Sequence, residues 1–305
     1  MVKILVTGGL GAIGKPLSEE LRRRGHEVWI SDRIHSYEPC YLRCDVGEFH
    51  QVENLFAKVK FDYVYHLAAE FGRRNGEDFY ETLWKANAIG TKNILRIQER
   101  LKFRMIFTSS SEVYGDYDGI MSEDVMDKVA IRQMNDYAMT KRVNEMQILN
   151  SADRFGTETV RVRLFNTYGP GEYYSEYRSA ICVFIYRALH GLPYIVYTRH
   201  KRTSSYIDDT VRTLAIIVEN FKPGEVYNIA GNELHDMKRV SDIILSYLGK
   251  EDSLVEYHDV EEATTLEKRV DVSKAVRDLG HQSTVALEDG IPKTINWQRE
   301  VYGCG

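Results

Sequence analysis

The sequence predicts an α/β protein built on a doubly wound parallel sheet, a Rossmann fold, with a smaller C-terminal lobe. The apolar run Lys3–Thr7 ends at a glycine cluster, residues 15–24 have helical periodicity, and residues 26–31 form a second strand pattern. Strand, glycine turn, helix and strand within about thirty residues make a βαβ unit, which implies a parallel sheet. The same alternation continues to residue 164, as expected of a doubly wound sheet.

Later elements follow this rhythm before it changes. Strands are predicted at 62–67, 104–109 and 158–164, and helices at 79–100 and 137–151. After Asn166 the elements become shorter and the loops richer in turns and aromatic residues. We therefore predict a nucleotide-binding domain over residues 1–165, rejoined by about 203–229, and a substrate-binding lobe over 166–202 and 230–305.

Composition restricts the class of protein. The chain has 305 residues and a formal net charge of -5, with both signs interspersed, so a nucleic-acid partner is not expected. No apolar run reaches the ~18 residues that span a bilayer, and no secretory signal precedes the first strand. Four cysteines without paired ligand spacing argue against a metal site and for a reducing compartment. We expect a cytoplasmic protein without a membrane partner.

The glycine loop predicts a dinucleotide site. Gly8, Gly11 and Gly14 lie between the first strand and the first helix, where glycines permit a tight turn and close approach of a pyrophosphate to the helix end. Asp32 ends the second strand and can bind both ribose hydroxyls, which favours NAD over NADP. Arg33 beside it weakens that preference. The alternative is an ordinary βα turn with a surface aspartate.

Tyr137 and Lys141 form a candidate catalytic pair. They are four residues apart at the start of a predicted helix and therefore share one face. A neighbouring ammonium and a cationic nicotinamide ring are expected to lower the pKa of the phenol, so that Tyr137 can take a hydroxyl proton. Ser110, at the carboxyl end of the 104–109 strand, could bind the same oxygen. A Tyr-x-x-x-Lys pair alone can be accidental.

Taken together, these motifs resemble the extended short-chain dehydrogenase/reductases, in the nucleotide-sugar epimerase/dehydratase branch. The resemblance covers nearly the whole chain. It is carried by TGGLGAIG (7–14), Asp32, Asp45-Val46, HLAAE (66–70), Asn87 with Gly90-Thr91, SSSEVYG (109–115), YAMTK (137–141), RLFNTYGPGE (163–172), RTSSYIDD (202–209) and YNIAG (227–231).

The resemblance implies roles for individual residues. Ser110 and Tyr137 would hold the sugar C4 oxygen, with Tyr137 as base. Substrate contacts would come from Ser111, from Asn166 and Arg202 at the diphosphate, and from Lys268 or Arg269 at a phosphate. NAD would be bound by Gly8, Gly11, Ala12, Ile13, Gly14, Asp32, Asp45, Val46, Leu67, Ala68, Ala69 and Lys141.

Glu112 bears most on the choice of reaction. Members of this branch oxidise the sugar at C4, and a carboxylate beside the ketone could then serve as base and acid. The resemblance therefore favours a nucleotide-sugar 4,6-dehydratase, with UDP-glucuronate decarboxylase or C4-epimerase as alternatives. Ser111 stands where one type of dehydratase carries an aspartic acid. A uronate substrate would need an arginine such as Arg73, Arg74 or Arg132, although most such arginines are surface charges.

The sequence leaves two further alternative functions open, and it also predicts a partner subunit. A ketosugar reductase would not need Glu112, and a non-catalytic NAD-binding regulator would commonly lose the Tyr137 and Lys141 pair. The resemblance also implies a homodimer formed by the helices at 79–100 and 137–151.

Overall fold

The computed structural model describes residues 1–304. The strands are β1 (Lys3–Thr7), β2 (Glu27–Asp32), β3 (Tyr41–Arg43), β4 (Tyr63–His66), β5 (Arg104–Ser110), β6 (Thr159–Leu164), β7 (Asn166–Tyr168), β8 (Tyr194–Tyr197), β9 (Lys201–Tyr206), β10 (Val226–Ile229), β11 (Leu234–Asp236) and β12 (Val255–His258).

The helices are α1 (Gly14–Arg23), α2 (Phe49–Lys58), α3 (Arg73–Asp78), α4 (Tyr80–Trp84), α5 (Gly90–Leu101), α6 (Val125–Lys128), α7 (Asp136–Phe155), α8 (Ala180–Leu189), α9 (Ile207–Ile216), α10 (Met237–Leu248), α11 (Ser273–Leu279) and α12 (Leu287–Tyr302). In residues 1–304, no helix is both long and apolar enough to cross a membrane.

A seven-stranded sheet has the order β10-β6-β5-β4-β1-β2-β3. Its strands from β3 to β6 pair in parallel, and the central ones are buried because they carry continuous apolar runs. The strand order reverses beside β1, with β2 on one side and β4 on the other. Such a switch point leaves a crevice at the carboxyl ends of the strands. The predicted Rossmann fold is confirmed.

The core of this sheet is covered by helices α2, α5 and α7. Val52 and Phe56 from α2 pack with Leu95 of α5 and Phe103 in one buried cluster. Helix α7 begins where the Asn135 side chain accepts a hydrogen bond from the amide of residue 138 and ends in a left-handed glycine, a common pairing of helix caps.

The predicted helix over 79–100 is interrupted in the structure. It consists of α4, a π-helical turn over Lys85–Ile89 and then α5. Within that turn, Asn87 is buried and its side chain bonds to the chain around Glu70. A π-helical turn contains one residue more than an α-helical turn. Hydropathy alone cannot reveal this extra residue, because the apolar pattern on either side of the turn is unchanged.

The chain divides into two compact units. Unit 1 contains residues 1–113, 135–164 and 211–227, and unit 2 contains residues 114–134, 165–210 and 228–305. The sequence division differs in placing 114–134 in the nucleotide-binding part and in starting the return segment near 203. The segment 114–134 lies in unit 2 because Met121 bridges Val270 and the amide of Met121 donates to the Arg269 carbonyl.

Unit 2 contains two small sheets and several helices. One sheet has the order β11-β9-β7 and the other pairs β12 with β8. Strand β9 runs parallel to β7 and antiparallel to β11. These short strands match the change of rhythm expected after residue 166.

Candidate active site

The glycine loop sits at the switch point of the unit 1 sheet. A Cβ on Gly14 would lie 2.1 Å from the Gly8 carbonyl oxygen, and one on Gly8, whose φ is +70°, would lie 2.8 Å from the Ala68 amide nitrogen. Helix α1 starts at Gly14 without a side-chain cap or an acidic residue in its first turn. The loop is therefore a side-chain-free cradle at a helix end, suited to a pyrophosphate.

Asp32 lies at the carboxyl end of β2, beside this loop. Its carboxylate accepts hydrogen bonds from the amides of Leu10 (3.2 Å) and Arg33 (2.8 Å), which fixes it next to the glycine turn. The Arg33 guanidinium instead contacts the Glu70 carboxylate at 2.8 Å. Arg33, which weakened the preference for NAD in the sequence, is thus paired with a neighbouring acid.

The other residues predicted to bind NAD surround the same strand ends. The Asp45 carboxylate accepts from the Gly47 amide at 2.9 Å, and the Val46 carbonyl accepts from Asn93 at 2.8 Å. The Leu67 amide donates to the Thr7 carbonyl. Gly11, Ala12 and Ile13 lie in the loop before α1, and Ala68 and Ala69 follow β4. Their NAD contacts stay predictions, although the cradle fits the group.

Ser110, Tyr137 and Lys141 come together in unit 1. The Ser110 side chain lies beside the Tyr137 phenol and lowers its pKa. The Lys141 ammonium donates to the Thr108 carbonyl at 2.9 Å and lies 5.9 Å from the Tyr137 ring centre. Lys141 is only 4% exposed. The arrangement can bind one hydroxyl oxygen between a serine and a tyrosine, with a buried cation beside them.

The electrostatics of this group differ from the sequence expectation. Burial raises the pKa of Tyr137 to about 12, the Ser110 hydrogen bond opposes that rise, and the charge of Glu112 adds to it. In the protein alone, desolvation outweighs the effect of the Lys141 ammonium on this phenol, and the lowering expected from Lys141 and the nicotinamide ring together stays a prediction. Burial likewise lowers the pKa of Lys141 to about 8, against the effect of Glu145.

Glu112 and Ser111 follow β5 in a 3₁₀ turn over Ser111–Tyr114. The Glu112 amide donates to the Ser110 hydroxyl oxygen at 3.2 Å. Glu112 is half-buried, and its charge acts on Tyr137. Ser111 is buried. Glu112 is therefore a carboxylate adjacent to the serine–tyrosine pair.

Sequence reasoning missed the polar network that holds these strand ends. His66 lies between the hydroxyls of Thr7 (2.8 Å) and Thr91 (3.2 Å), and burial lowers the pKa of His66 to about 3. Asn87 also donates to the hydroxyl of Thr140 at 3.0 Å. Asn87 stood in a quoted motif, but nothing in the pattern indicated its partners. The buried carboxylate of Glu145 was also missed.

The predicted phosphate ligands lie in unit 2. The Arg202 guanidinium donates to the carbonyls of Lys201 (2.8 Å) and Leu266 (2.9 Å) and contacts Thr264 and His200. Lys268, which is 2% exposed, is joined to Lys201 through its amide. Asn166 begins β7, opposite residue 204 of β9. Arg202 would exchange a present partner for a phosphate, so these contacts stay predictions.

A cavity of about 570 Å³ lies in unit 2. Neither Arg202 nor Lys268 lines it, because their neighbours Lys201, Glu267 and Arg269 face that side instead. These three groups form an ion-pair cluster, with Lys201 and Arg269 both bound to Glu267.

Fold and site together define an enzyme with a dinucleotide cradle and a serine–tyrosine–lysine group at the ends of a parallel sheet. The model of the NAD-dependent epimerase/dehydratase family matches residues 4–230. The chain belongs to this family, and the resemblance drawn from its motifs is confirmed. Its cofactor is NAD, as the family description states and as the glycine cradle allows.

Similar proteins cover almost all of the chain. A UDP-N-acetyl-α-D-glucosaminuronate decarboxylase of Bacillus cytotoxicus is 30% identical over 324 residues, covering 98% of both chains. UDP-glucuronic acid decarboxylase 1 of Xenopus tropicalis is 29% identical, covering 98% of this chain and 72% of that protein. The structure of a Bacillus cereus UDP-glucuronic acid 4-epimerase with UDP-glucuronic acid and NAD matches with a TM-score of 0.86 and 25% identity, covering 98% and 100% of the chains.

Proposed function

We propose that this enzyme decarboxylates a UDP-linked hexuronic acid after oxidising the sugar at C4. The observation that carries the oxidation is the grouping of Ser110 and Tyr137 beside the buried ammonium of Lys141, which lies 5.9 Å from the Tyr137 ring centre. The uronate is favoured because the three similar proteins named above all have a UDP-uronic acid in their names.

In the first step, Tyr137 accepts the proton of the C4 hydroxyl while Ser110 holds the same oxygen. NAD, held at the glycine loop and Asp32, would supply the acceptor for the C4 hydride and its later return, and its cationic ring would favour the phenolate. Lys141 adds a positive charge beneath the tyrosine. The cationic ring is needed because the pKa of Tyr137 is raised to about 12 in the protein alone, with Lys141 already in place.

In the second step, the C5–C6 bond breaks and its electron pair moves into the C4 carbonyl as carbon dioxide leaves. Ser110 and the newly protonated Tyr137 donate hydrogen bonds to the enolate oxygen and so stabilise the charge that develops there. A solvent proton then takes the place of the lost carboxyl group on C5, and Tyr137 gives its proton back to the C4 oxygen when that carbon is reduced again. This route needs no acid for a departing hydroxyl, and Ser111 supplies none.

Arg73 is our candidate for binding the substrate carboxylate. It begins α3 three residues before Gly76, so the two share one helix face. A Cβ on Gly76 would lie 3.5 Å from the Tyr137 amide, which places that face against the start of α7. Arg73 is half-buried, whereas Arg74 beside it is exposed. Arg132 is 79% exposed and is paired with Asp116.

A 4,6-dehydratase, the first choice from the sequence, is the second candidate. It is favoured by Glu112, whose charge acts on Tyr137 and which could remove the C5 proton of a neutral sugar. The missing acid at Ser111 counts against it. A C4-epimerase would use Ser110, Tyr137 and Lys141 alone.

We also propose that the enzyme is a cytoplasmic homodimer, with Asn166, Arg202 and Lys268 contacting the substrate diphosphate. The expected dimer face carries apolar side chains that are exposed in the single chain, namely Ile89, Met139, Met146 and Leu149. Sedimentation of the wild-type protein and of M146E tests the dimer. A wild-type monomer would contradict it.

The function is tested by incubating the purified enzyme separately with UDP-glucuronate, UDP-N-acetylglucosaminuronate, UDP-glucose, dTDP-glucose and GDP-mannose. We expect mass spectrometry to detect loss of carbon dioxide from a uronate. Loss of water from a neutral sugar would establish the dehydratase instead, and a C4 epimer detected by NMR would establish the epimerase. R73M should lose turnover of the uronate while R74M, its exposed neighbour, keeps it.

A further inference from the structure

We propose that Glu145 is a positioning residue that keeps Lys141 protonated and holds α7 against the catalytic strand. This inference rests on the proposed roles of Tyr137 and Lys141. Glu145 follows Lys141 by four residues and Tyr137 by eight, so the three side chains lie along one face of the helix. The face therefore presents a base, a cation and a carboxylate in succession.

The carboxylate of Glu145 is completely buried and fully bonded. It accepts hydrogen bonds from the Ser109 hydroxyl at 2.6 Å and from two nitrogens of Arg163 at 3.0 and 2.9 Å. Arg161 and Arg142 lie further away, at 3.7 and 3.8 Å. A bidentate arginine and a hydroxyl fix both the position and the ionised state of the carboxylate.

Strand β5 is bonded to α7 at two consecutive residues. The Thr108 carbonyl accepts from Lys141 and the Ser109 hydroxyl donates to Glu145, and the next residue, Ser110, lies beside Tyr137. Ser109 pairs with Arg163 of β6 in the sheet register, so both reach Glu145 from one face. The distance between Ser110 and Tyr137 is thus set partly by the Glu145 contacts.

The electrostatic consequence concerns Lys141. Burial favours its neutral form, and the charge of Glu145 is the effect that opposes burial. The other titratable groups near Lys141 are Tyr137 on the same helix face and His66 of β4, both neutral near pH 7 because burial raises the pKa of the first and lowers that of the second. The charge of Glu145 is balanced by Arg163 and, at longer distance, by Arg161 and Arg142.

The experiment measures the pKa of the Lys141 ammonium by ¹⁵N NMR in the NAD-bound protein, with K141M to assign the signal. We compare E145Q, the double variant E145Q/R163M, which removes the bidentate arginine together with its acid, and the conservative E145D. D153N, an exposed carboxylate on the same helix, is the matched control. We expect the pKa to fall by about one unit in both neutral variants, and to stay unchanged in E145D and D153N.

An unchanged Lys141 pKa in a folded E145Q or E145Q/R163M protein would overturn the proposal. Failure of both neutral variants to fold would also overturn it, since the carboxylate would then be structural alone. Once the substrate is identified, the alkaline limb of the pH profile of kcat should shift by the same amount in the neutral variants, while KM is unchanged. If no UDP-sugar is turned over by the wild type, the proposed function fails, but the NMR result still decides the role of Glu145.

Discussion

At the residue scale, the site depends on how burial acts on two ionisable side chains. Burial holds Tyr137 in its protonated form and weakens the charge of Lys141. Both effects disfavour a phenolate at Tyr137. The positive charges of Lys141 and the cofactor must therefore offset the rise in the pKa of Tyr137 that burial causes. The protein alone therefore keeps its base inactive near neutral pH.

Removal of the phenolic hydroxyl tests this interpretation. We expect Y137F to lower kcat by about 10²- to 10⁴-fold, the range typical of a lost general base, because Ser110 alone cannot accept the C4 proton. NAD content, measured by absorbance after denaturation, should be unchanged. Wild-type turnover in Y137F would contradict the role of Tyr137 as base.

Glu112 separates the two candidate reactions. In a decarboxylase, E112Q should change kcat by less than about tenfold, because carbon dioxide leaves without an added base. In a dehydratase, E112Q should permit C4 oxidation but block loss of water, lowering product formation by about 10²-fold or more. Product mass and transient absorbance of the reduced cofactor distinguish these results. E77Q, an exposed acid on α3, serves as the control.

At the element scale, the turns and helices explain what the sequence could and could not predict. Strand periodicity and glycine spacing were enough for β1, α1 and β2, because local sequence determines a βαβ unit. The π-helical turn at Asn87 and the buried Glu145–Arg163 pair were not predictable. Their partners are distant in sequence, and polar residues in a helix resemble solvated ones until the packing is known.

The glycine loop gives a prediction at this scale. G14V should abolish NAD binding, because a Cβ there would collide with the Gly8 carbonyl at 2.1 Å and distort the cradle. The variant should still fold, but with lower stability. G156A is the control, since a Cβ at this left-handed helix cap meets no atom within 4 Å and should cost only about 1 kcal/mol. Isothermal titration calorimetry measures the NAD affinity of both variants. Retained affinity in G14V would contradict the assignment of the loop.

At the scale of the whole molecule, the two units differ in how far the sequence described them. In unit 1 most strands and helices match the predicted pattern, although β3 and α2 were not predicted, and the return segment expected at about 203–229 covers residues 211–227. Unit 2 was anticipated only as an irregular lobe. Residues 114–134 belong to unit 2 because of contacts such as that of Met121 with Val270. These contacts join segments about 150 residues apart and leave no local periodic signal in the sequence.

The stability of the molecule should depend on pH through His66. Its pKa is about 3 in the folded protein and close to 6.5 when unfolded, so the unfolded state binds more protons between these values. The stabilising effect is complete above about pH 6.5 and is lost as the pH falls toward 3. Urea unfolding at about pH 7 and about pH 5 should show a loss near 1 kcal/mol per pH unit that H66Q lacks. Equal slopes would rule out a neutral, buried His66.

The most direct test of the central claim follows one hydrogen atom. The enzyme is incubated with UDP-glucuronate or UDP-N-acetylglucosaminuronate deuterated at C4, and the product is analysed by mass spectrometry and NMR. We predict a pentose product that has lost carbon dioxide and retains the deuterium at C4, because one site oxidises and reduces the same carbon. A neutral sugar dehydrated in place of the uronate, or a decarboxylated product formed in full by Y137F, would contradict the account.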